Sequence, residues 1–551
     1  MAEASKLVIV GGGPCALAIV LRLAREAGAH SCTPEGLDTR RRAQELLART
    51  VIIDASGSGF LTLWRRKLLS QGVATLRSPS FVNPHASRVM DDALARYGIS
   101  SGRQRELVLL PDAKPWRAPA AQLFDDFCAS ALDEIRAVCP TLCERIVHGR
   151  VTDILPLISG TLELHCRLAK EERDVCICAT HVVLAVGDGG TAVWPDWAVQ
   201  AKGSAPPGRL VHSSQLATSH SATPMVFGDR HPGCRGHMTT TACTRPGEKG
   251  CAYASSPAPL ETSSWWAALA AIARRLSLAS WDLLPAALPA ALPAAWVAAQ
   301  LGAPSNECAR PLGKGRLLVI GGGLSAAHLA CEAVRCGWAN VTLVARHRMA
   351  VRPFDIDEAW MRRHLSAELE ACEAEFFAAC PAERRTLLRR ARPGGSLTRA
   401  SLADLDELRR RGQLELLEEA YVLEACWSTP EASTKLKAGP HTEGAWIVSL
   451  IREGGGGVGG TSSLVVDAIW LATGARLDVA DVPVLQSLLH AQPQPTHGGL
   501  AELTPSLRWN EMTPLYISGA LAALQLGPDA FNLAGAGQGA SRIVSDLLGT
   551  R

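Results

Sequence analysis

The chain has 551 residues, 47% of them hydrophobic and 20% charged, enough for a large core and for roughly three or four domains, and not the composition of a disordered polymer. Lys and Arg total 56 against 53 Asp and Glu, a formal charge of +3, which predicts neither a nucleic-acid footprint nor a basic membrane patch. Seventeen cysteines without a CxxC pair argue against a disulfide framework, a zinc finger and a CxxC redox centre, and they fit a reducing, cytoplasmic compartment.

The first element is a buried strand, Lys6-Leu7-Val8-Ile9-Val10, which leaves no room ahead of it for a cleaved targeting peptide. Gly11-Gly12-Gly13-Pro14-Cys15-Ala16 follows, a G-x-G-x-x-A loop opening an amphipathic helix through Leu23. Gly11 permits the tight turn, Gly13 lets a pyrophosphate approach the backbone, and Ala16 lets helix and strand pack closely, with the helix amino end facing the phosphate charge. An acid is expected about 20 residues on, at the end of the second strand, to hold the ribose hydroxyls. Asp54, closing the apolar run Val51-Ile52-Ile53, serves if the basic segment around Arg40-Arg41-Arg42 belongs to an insertion; otherwise it caps the turn before Ala-Ser-Gly.

Val182 to Gly187 is an apolar run ending in glycine. Cys176 and Cys178, one residue apart on a strand pattern just before it, point the same way but do not have the setting of a redox centre. Gly208-Arg-Leu-Val-His212-Ser213-Ser214 comes next, and then the composition changes. Residues 217–313 read as a low-complexity linker or insertion, with a helix near Trp265 to Leu278 and prolines at 285, 289 and 293. A proline every fourth residue defeats helix hydrogen bonding, so no membrane span is expected there.

Leu317-Leu-Val-Ile320 leads into a second loop, Gly321-Gly322-Gly323-Leu324-Ser325-Ala326, then a helix through Arg335 and a strand, Val341 to Ala345. That strand ends in Arg346, His347 and Arg348 instead of an acid. A cation there meets a 2′-phosphate, which favours NADP over NAD; the alternative is a solvated basic loop. Asp404 to Glu419 reads as a helix with a solvated face, and Gly454 to Gly460 as a tip between two strands. Ile469 to Gly474 repeats the apolar run ending in Thr-Gly, and Leu515 to Ala520 forms a last strand before a helix start at Asn532.

Two such loops in one chain resemble the two-dinucleotide-binding-domain flavoproteins, over most of the chain apart from the linker. Gly208, His212 and Ser213 are similar to the flavin monooxygenase fingerprint F-x-G-x-x-x-H-S-x-x-Y, with Pro206 and Leu216 in place of its aromatics, and Val211 to Ser214 is most like the lysine and ornithine N-hydroxylating branch. Trp64 and Leu76-Arg77-Ser78-Pro79 loosely resemble that branch's loop beside the flavin, whereas its segment between the cofactor domains has no counterpart in Pro353 to Trp360 or Gly394 to Leu397. The family's last FAD strand ends in Gly-Asp; here it ends in Gly519-Ala520.

The resemblance implies an α/β fold with two Rossmann-like domains. An FAD domain is built from 1–216 and 481–551, and an NADPH domain from 314–480 is inserted in it. FAD is expected at Gly11, Gly13, Ala16, Asp54, Gly519 and Ala520, and NADPH at Gly321, Gly323, Ala326 and Arg346. His212 and Ser213 stand near the domain junction, His212 equally well as a structural histidine. The implied activity is a monooxygenase reaction of NADPH, molecular oxygen and a small amine through a flavin C4a-hydroperoxide. The alternatives are a flavin-dependent reductase without oxygen transfer and a weakly catalytic, redox-responsive flavoprotein module.

Overall fold

A computed structural model describes residues 5–85, 92–110, 112–113, 115–187, 190–216, 315–361, 367–429, 444–452 and 460–550. The linker expected at 217–313, with its helix and its proline tract, lies outside the described residues.

The first sheet is built on the strand Ser5–Val10, whose Leu7, Val8 and Ile9 are fully buried. It pairs in parallel with Thr50–Asp54 on one side and with residues 179–184 of the long strand Asp174–Leu184 on the other. Ile146–His148 and Leu515–Ile517 add the outer parallel positions, the last strand joining the first sheet at Val182–Leu184. Beyond their parallel halves, Ile146–Pro156 and Asp174–Leu184 run on into an antiparallel ribbon with Leu162–Leu168 between them. The helices Pro14–Gly28 and Leu533–Leu548 pack against each other beside this sheet. The extra length before Asp54 is a helix of its own, Pro34–Ala48, started by Thr33, whose hydroxyl accepts from Gly36 N; it carries Arg40, Arg41 and Arg42.

The second sheet repeats the plan. Leu414–Leu417, Asn340–Val344, Arg316–Ile320 and Ala468–Leu471 lie in parallel in that order. A three-stranded antiparallel ribbon, Ala420–Ser428, Ala445–Arg452 and Thr461–Val466, occupies the same place in chain order. The last two strands run antiparallel up to the glycine tract, as expected of a tip, and the tract's residues 453–459 lie outside the described residues.

Three placements differ from the sequence reading. Leu210–His212, assigned above to the first domain, is the fifth strand of the second sheet, paired with Ile469–Leu471. The chain therefore crosses between sheets near Thr191–Ala192 and not at residue 216. It does so beside the return crossing Ala475–Arg476, with which that short strand pairs antiparallel. The charged helix spans Arg399–Arg410 and gives way at Gly412, φ +68°, to Leu414–Leu417, which pairs as a strand of the sheet. Finally, residues 350–397, assigned to the second domain, pack on the first core through buried Phe354, Trp360, Phe376 and Leu388.

Candidate functional site

Gly321, Gly322 and Gly323 of the second loop line a cavity of about 1130 Å³, which Pro14 and Cys15, just after the glycines of the first loop, also line. At the first, Gly11 has φ +103°, and its N–H donates to Ile53 O at 2.8 Å, closing the turn between strands one and two. An added Cβ would stand 2.5 Å from Ala185 O, so both the dihedral and the space demand glycine. Gly13 differs: its φ is −77°, and nothing lies within 4 Å of where a Cβ would be. It caps the helix Pro14–Gly28 without a side-chain hydrogen bond, so that helix keeps free N–H groups and its dipole for an anion. Ala16 is fully buried between helix and sheet.

Asp54 stands at the end of the second strand, as expected, but works inward. Its Oδ2 accepts from Gly12 N at 3.1 Å, and its Oδ1 accepts from the amide and hydroxyl of Ser56 at 2.9 and 2.8 Å. Across the cavity, Gly519 and Ala520 follow the last strand, with Ala520 buried. Asn532 starts the final helix: its Oδ1 accepts from Ala534 and Gly535 N, while Leu533 and Ala536 line the cavity. Cys15 is the only cysteine among the described residues of the lining; burial pushes its thiol pKa up, so the thiol stays protonated near neutral pH.

The second loop repeats the turn but not the opening. Gly321 N donates to Val344 O at 3.0 Å, and an added Cβ would meet Ala472 O at 2.4 Å. Gly323, however, faces backbone: a Cβ on Gly395 would lie 3.0 Å from Gly323 Cα. The approach expected to receive a pyrophosphate is thus already met by the Gly394-Gly395 turn. Ala326 is fully buried in the helix Leu324–Arg335. Arg346 is exposed, lines the cavity and makes no ion pair among the described residues; Arg348 is held by Glu419 at 3.0 Å.

His212 is buried and does not line the cavity, whereas Ser213 does. Its Nδ1 faces Ser214 N at 3.2 Å and so acts as acceptor, which puts the proton on Nε2. Burial lowers its pKa, with the Gly474 backbone opposing, and its ring lies 5.9 Å from that of Trp194. This is the structural role open to it from the sequence.

Arg77 has a larger part than its loose motif suggested. Its guanidinium donates to the carbonyls of Pro353 (3.1 Å), Arg352 (3.0 Å) and Ser396 (3.3 Å) and to Ser396 Oγ (2.8 Å). It thereby fastens residues 350–397, including the turn over Gly323, to the first domain. Only the adjoining Leu76 and Ser78 and the nearby Trp64, all on the cavity wall with it, hinted at this.

No protein-family model matches the chain, and no curated protein matches it. Solved structures share its fold. The ornithine N-hydroxylase of Kutzneria sp. 744, determined with reduced FAD, NADP+ and L-ornithine, superposes with a TM-score of 0.57 at 14% identity, over 99% of each chain. The cadaverine monooxygenase of desferrioxamine biosynthesis from Erwinia amylovora, bound to FAD, gives 0.55 at 13% identity, over 99% of this chain and 95% of the other. The chain thus has the α/β fold of the two-dinucleotide-binding-domain flavoproteins. Among the described residues no helix is long and apolar enough to cross a membrane.

Proposed function

We propose that the protein is an FAD- and NADPH-dependent oxidoreductase, a monooxygenase acting on a small nucleophilic amine with molecular oxygen. One observation carries this reading: a single cavity takes in Pro14 and Cys15, which follow the first glycine turn, and Gly321 to Gly323 of the second, and among its described residues it holds no cysteine pair. A disulfide reductase needs that pair; oxygen transfer needs only a flavin, a hydride source and a pocket that excludes water.

The residues present fit FAD. The open face of Gly13 and the free amides after it suit the pyrophosphate, and Asp54 Oδ2 keeps a lone pair for a ribose hydroxyl. Gly519, Ala520 and the amino end of Leu533–Leu548 flank the far side, where Ala520 stands in the place of the family's acid. NADPH is assigned to Gly321, Gly323 and Ala326, with Arg346 on its 2′-phosphate. Bound flavin would supply the redox chemistry, taking hydride from NADPH and delivering electrons to oxygen. The chain's own part is to align the nucleotides and hold the wall closed through Arg77. His212 stands behind that wall, and Ser213 contributes to it.

The test is aerobic NADPH oxidation by the flavin-loaded protein with ornithine, lysine and cadaverine, with peroxide and hydroxylated amine both measured. Product matching NADPH consumed supports oxygen transfer. Peroxide matching NADPH with every amine overturns it in favour of a reductase. The Gly323–Gly395 contact favours a third outcome, a flavoprotein that NADPH reduces only slowly, visible as bleaching of the flavin that lags binding.

A further inference from the structure

The antiparallel ribbon of the first domain carries a cluster that the nucleotide sites do not use. Strand alternation sends Leu162, Leu164 and Cys166 into the core and turns Glu163 and His165 outward. On the neighbouring strand Cys176 and Cys178 are exposed. The register sets His165 opposite Cys176 and Glu163 opposite Cys178. A carboxylate oxygen of Glu163, a ring nitrogen of His165 and the Cys176 sulfur all lie within 4.8 Å of one another, and His165 Nε2 sits 2.8 Å from Glu163 Oε1.

We propose that Glu163, His165 and Cys176 bind a thiophilic divalent cation, Zn²⁺ being the best match. Zinc takes nitrogen and oxygen at about 2.0–2.2 Å and thiolate at about 2.3 Å in a tetrahedron, which places its donors roughly 3.3–3.6 Å apart. The three donors, within 4.8 Å of one another, would draw together by roughly 1.5 Å at most to meet that spacing. The set also discriminates: Ca²⁺ and Mg²⁺ require six or more oxygens, whereas one sulfur, one nitrogen and one oxygen suit zinc. On binding, the Cys176 thiol gives its proton to solvent and its sulfur bonds the metal. The Glu163–His165 hydrogen bond is exchanged for two coordinate bonds, and water completes the tetrahedron. The ion would tie two strands together, and one of them, Asp174–Leu184, continues between Ser5–Val10 and Leu515–Ile517 towards the cavity wall at Gly187.

The test uses the full chain and Co²⁺ as a visible stand-in for Zn²⁺. The wild type should show a near-ultraviolet thiolate-to-cobalt band that one equivalent of Zn²⁺ abolishes, and Zn²⁺ should raise its unfolding temperature. Cys176→Ser should lose this band, His165→Ala and Glu163→Gln should weaken binding by about tenfold or more, and Cys178→Ser should keep it. Thiols elsewhere are common to all these proteins and cancel in the comparison. Metal-free unfolding temperatures equal to wild type show that each variant folds. A full band in Cys176→Ser, its loss in Cys178→Ser, or wild-type affinity in His165→Ala would overturn the assignment. Each of these readouts is independent of flavin content and of NADPH oxidation.

Discussion

Replacing Gly13 by alanine should separate folding from flavin binding, because the structure gives that position no folding role that needs glycine. Its φ of −77° and ψ of −173° suit any residue, and no atom lies within 4 Å of the added methyl. The unfolded chain loses freedom, so stability should hold or rise by about 0.4–1 kcal/mol. The methyl does project into the space assigned to the pyrophosphate. Losing one charge-assisted hydrogen bond there costs about 1.5–3 kcal/mol, roughly a tenfold to hundredfold rise in the flavin Kd. Gly11→Ala is the control. Its φ of +103° strains any side chain by about 1–3 kcal/mol, and the 2.5 Å approach to Ala185 O adds to this, so it should unfold early as well as lose flavin. Thermal unfolding of the flavin-free proteins and flavin titration by fluorescence measure the two quantities. Wild-type flavin affinity in Gly13→Ala, or an unfolding temperature lowered as far as that of Gly11→Ala, would refute the reasoning.

Arg346→Ala should raise the KM for NADPH by roughly tenfold to a hundredfold and leave NADH use unchanged, following the loss of one phosphate contact; equal effects on both nucleotides would remove Arg346 from the site. Gly395→Ala presses a methyl onto Gly323 and should destabilise the chain by about 1–3 kcal/mol while weakening NADPH and sparing flavin content. His328 is held at a pKa of about 4 by burial first, and then by Arg335 and Arg77. The unfolded chain therefore binds that proton first as pH falls. The stability this histidine contributes is complete above about 6.5 and disappears as pH drops towards 4, on the order of 3 kcal/mol in all. Melting temperatures across that window should fall less steeply in His328→Gln than in the wild type, and parallel curves would contradict the assignment.

Both glycine loops, the strands that carry them and the closing strand at Leu515 were legible because each writes its requirement locally: an apolar run, a small-residue turn, a helix. The helix Pro34–Ala48 was legible only as excess length before Asp54. Leu210–His212 was misassigned because three residues carry no record of which sheet they join; their partner, Ile469–Leu471, is some 260 positions away. Separation in sequence also hid the hold of Arg77 on Pro353 and Ser396, 276 and 319 positions on, and the closure of Gly323 by Gly395, 72 positions on. Around His212 the sequence left two roles open, since burial decides whether a histidine faces a ligand or a wall.

Each sheet also takes one strand from outside its own continuous run of chain. The first sheet waits for Leu515–Ile517, about 330 residues after the strand it must join, and the second uses Leu210–His212, made before its other strands. On a ribosome adding about 5–20 residues per second, the Val182–Leu184 edge would stay unpaired for roughly 20–60 s. An apolar strand edge open that long invites pairing with other nascent chains. Expression yield should therefore depend on translation speed and chaperone supply more than on the stability of the finished protein. Neither half, expressed alone from contiguous sequence, would have all of its sheet.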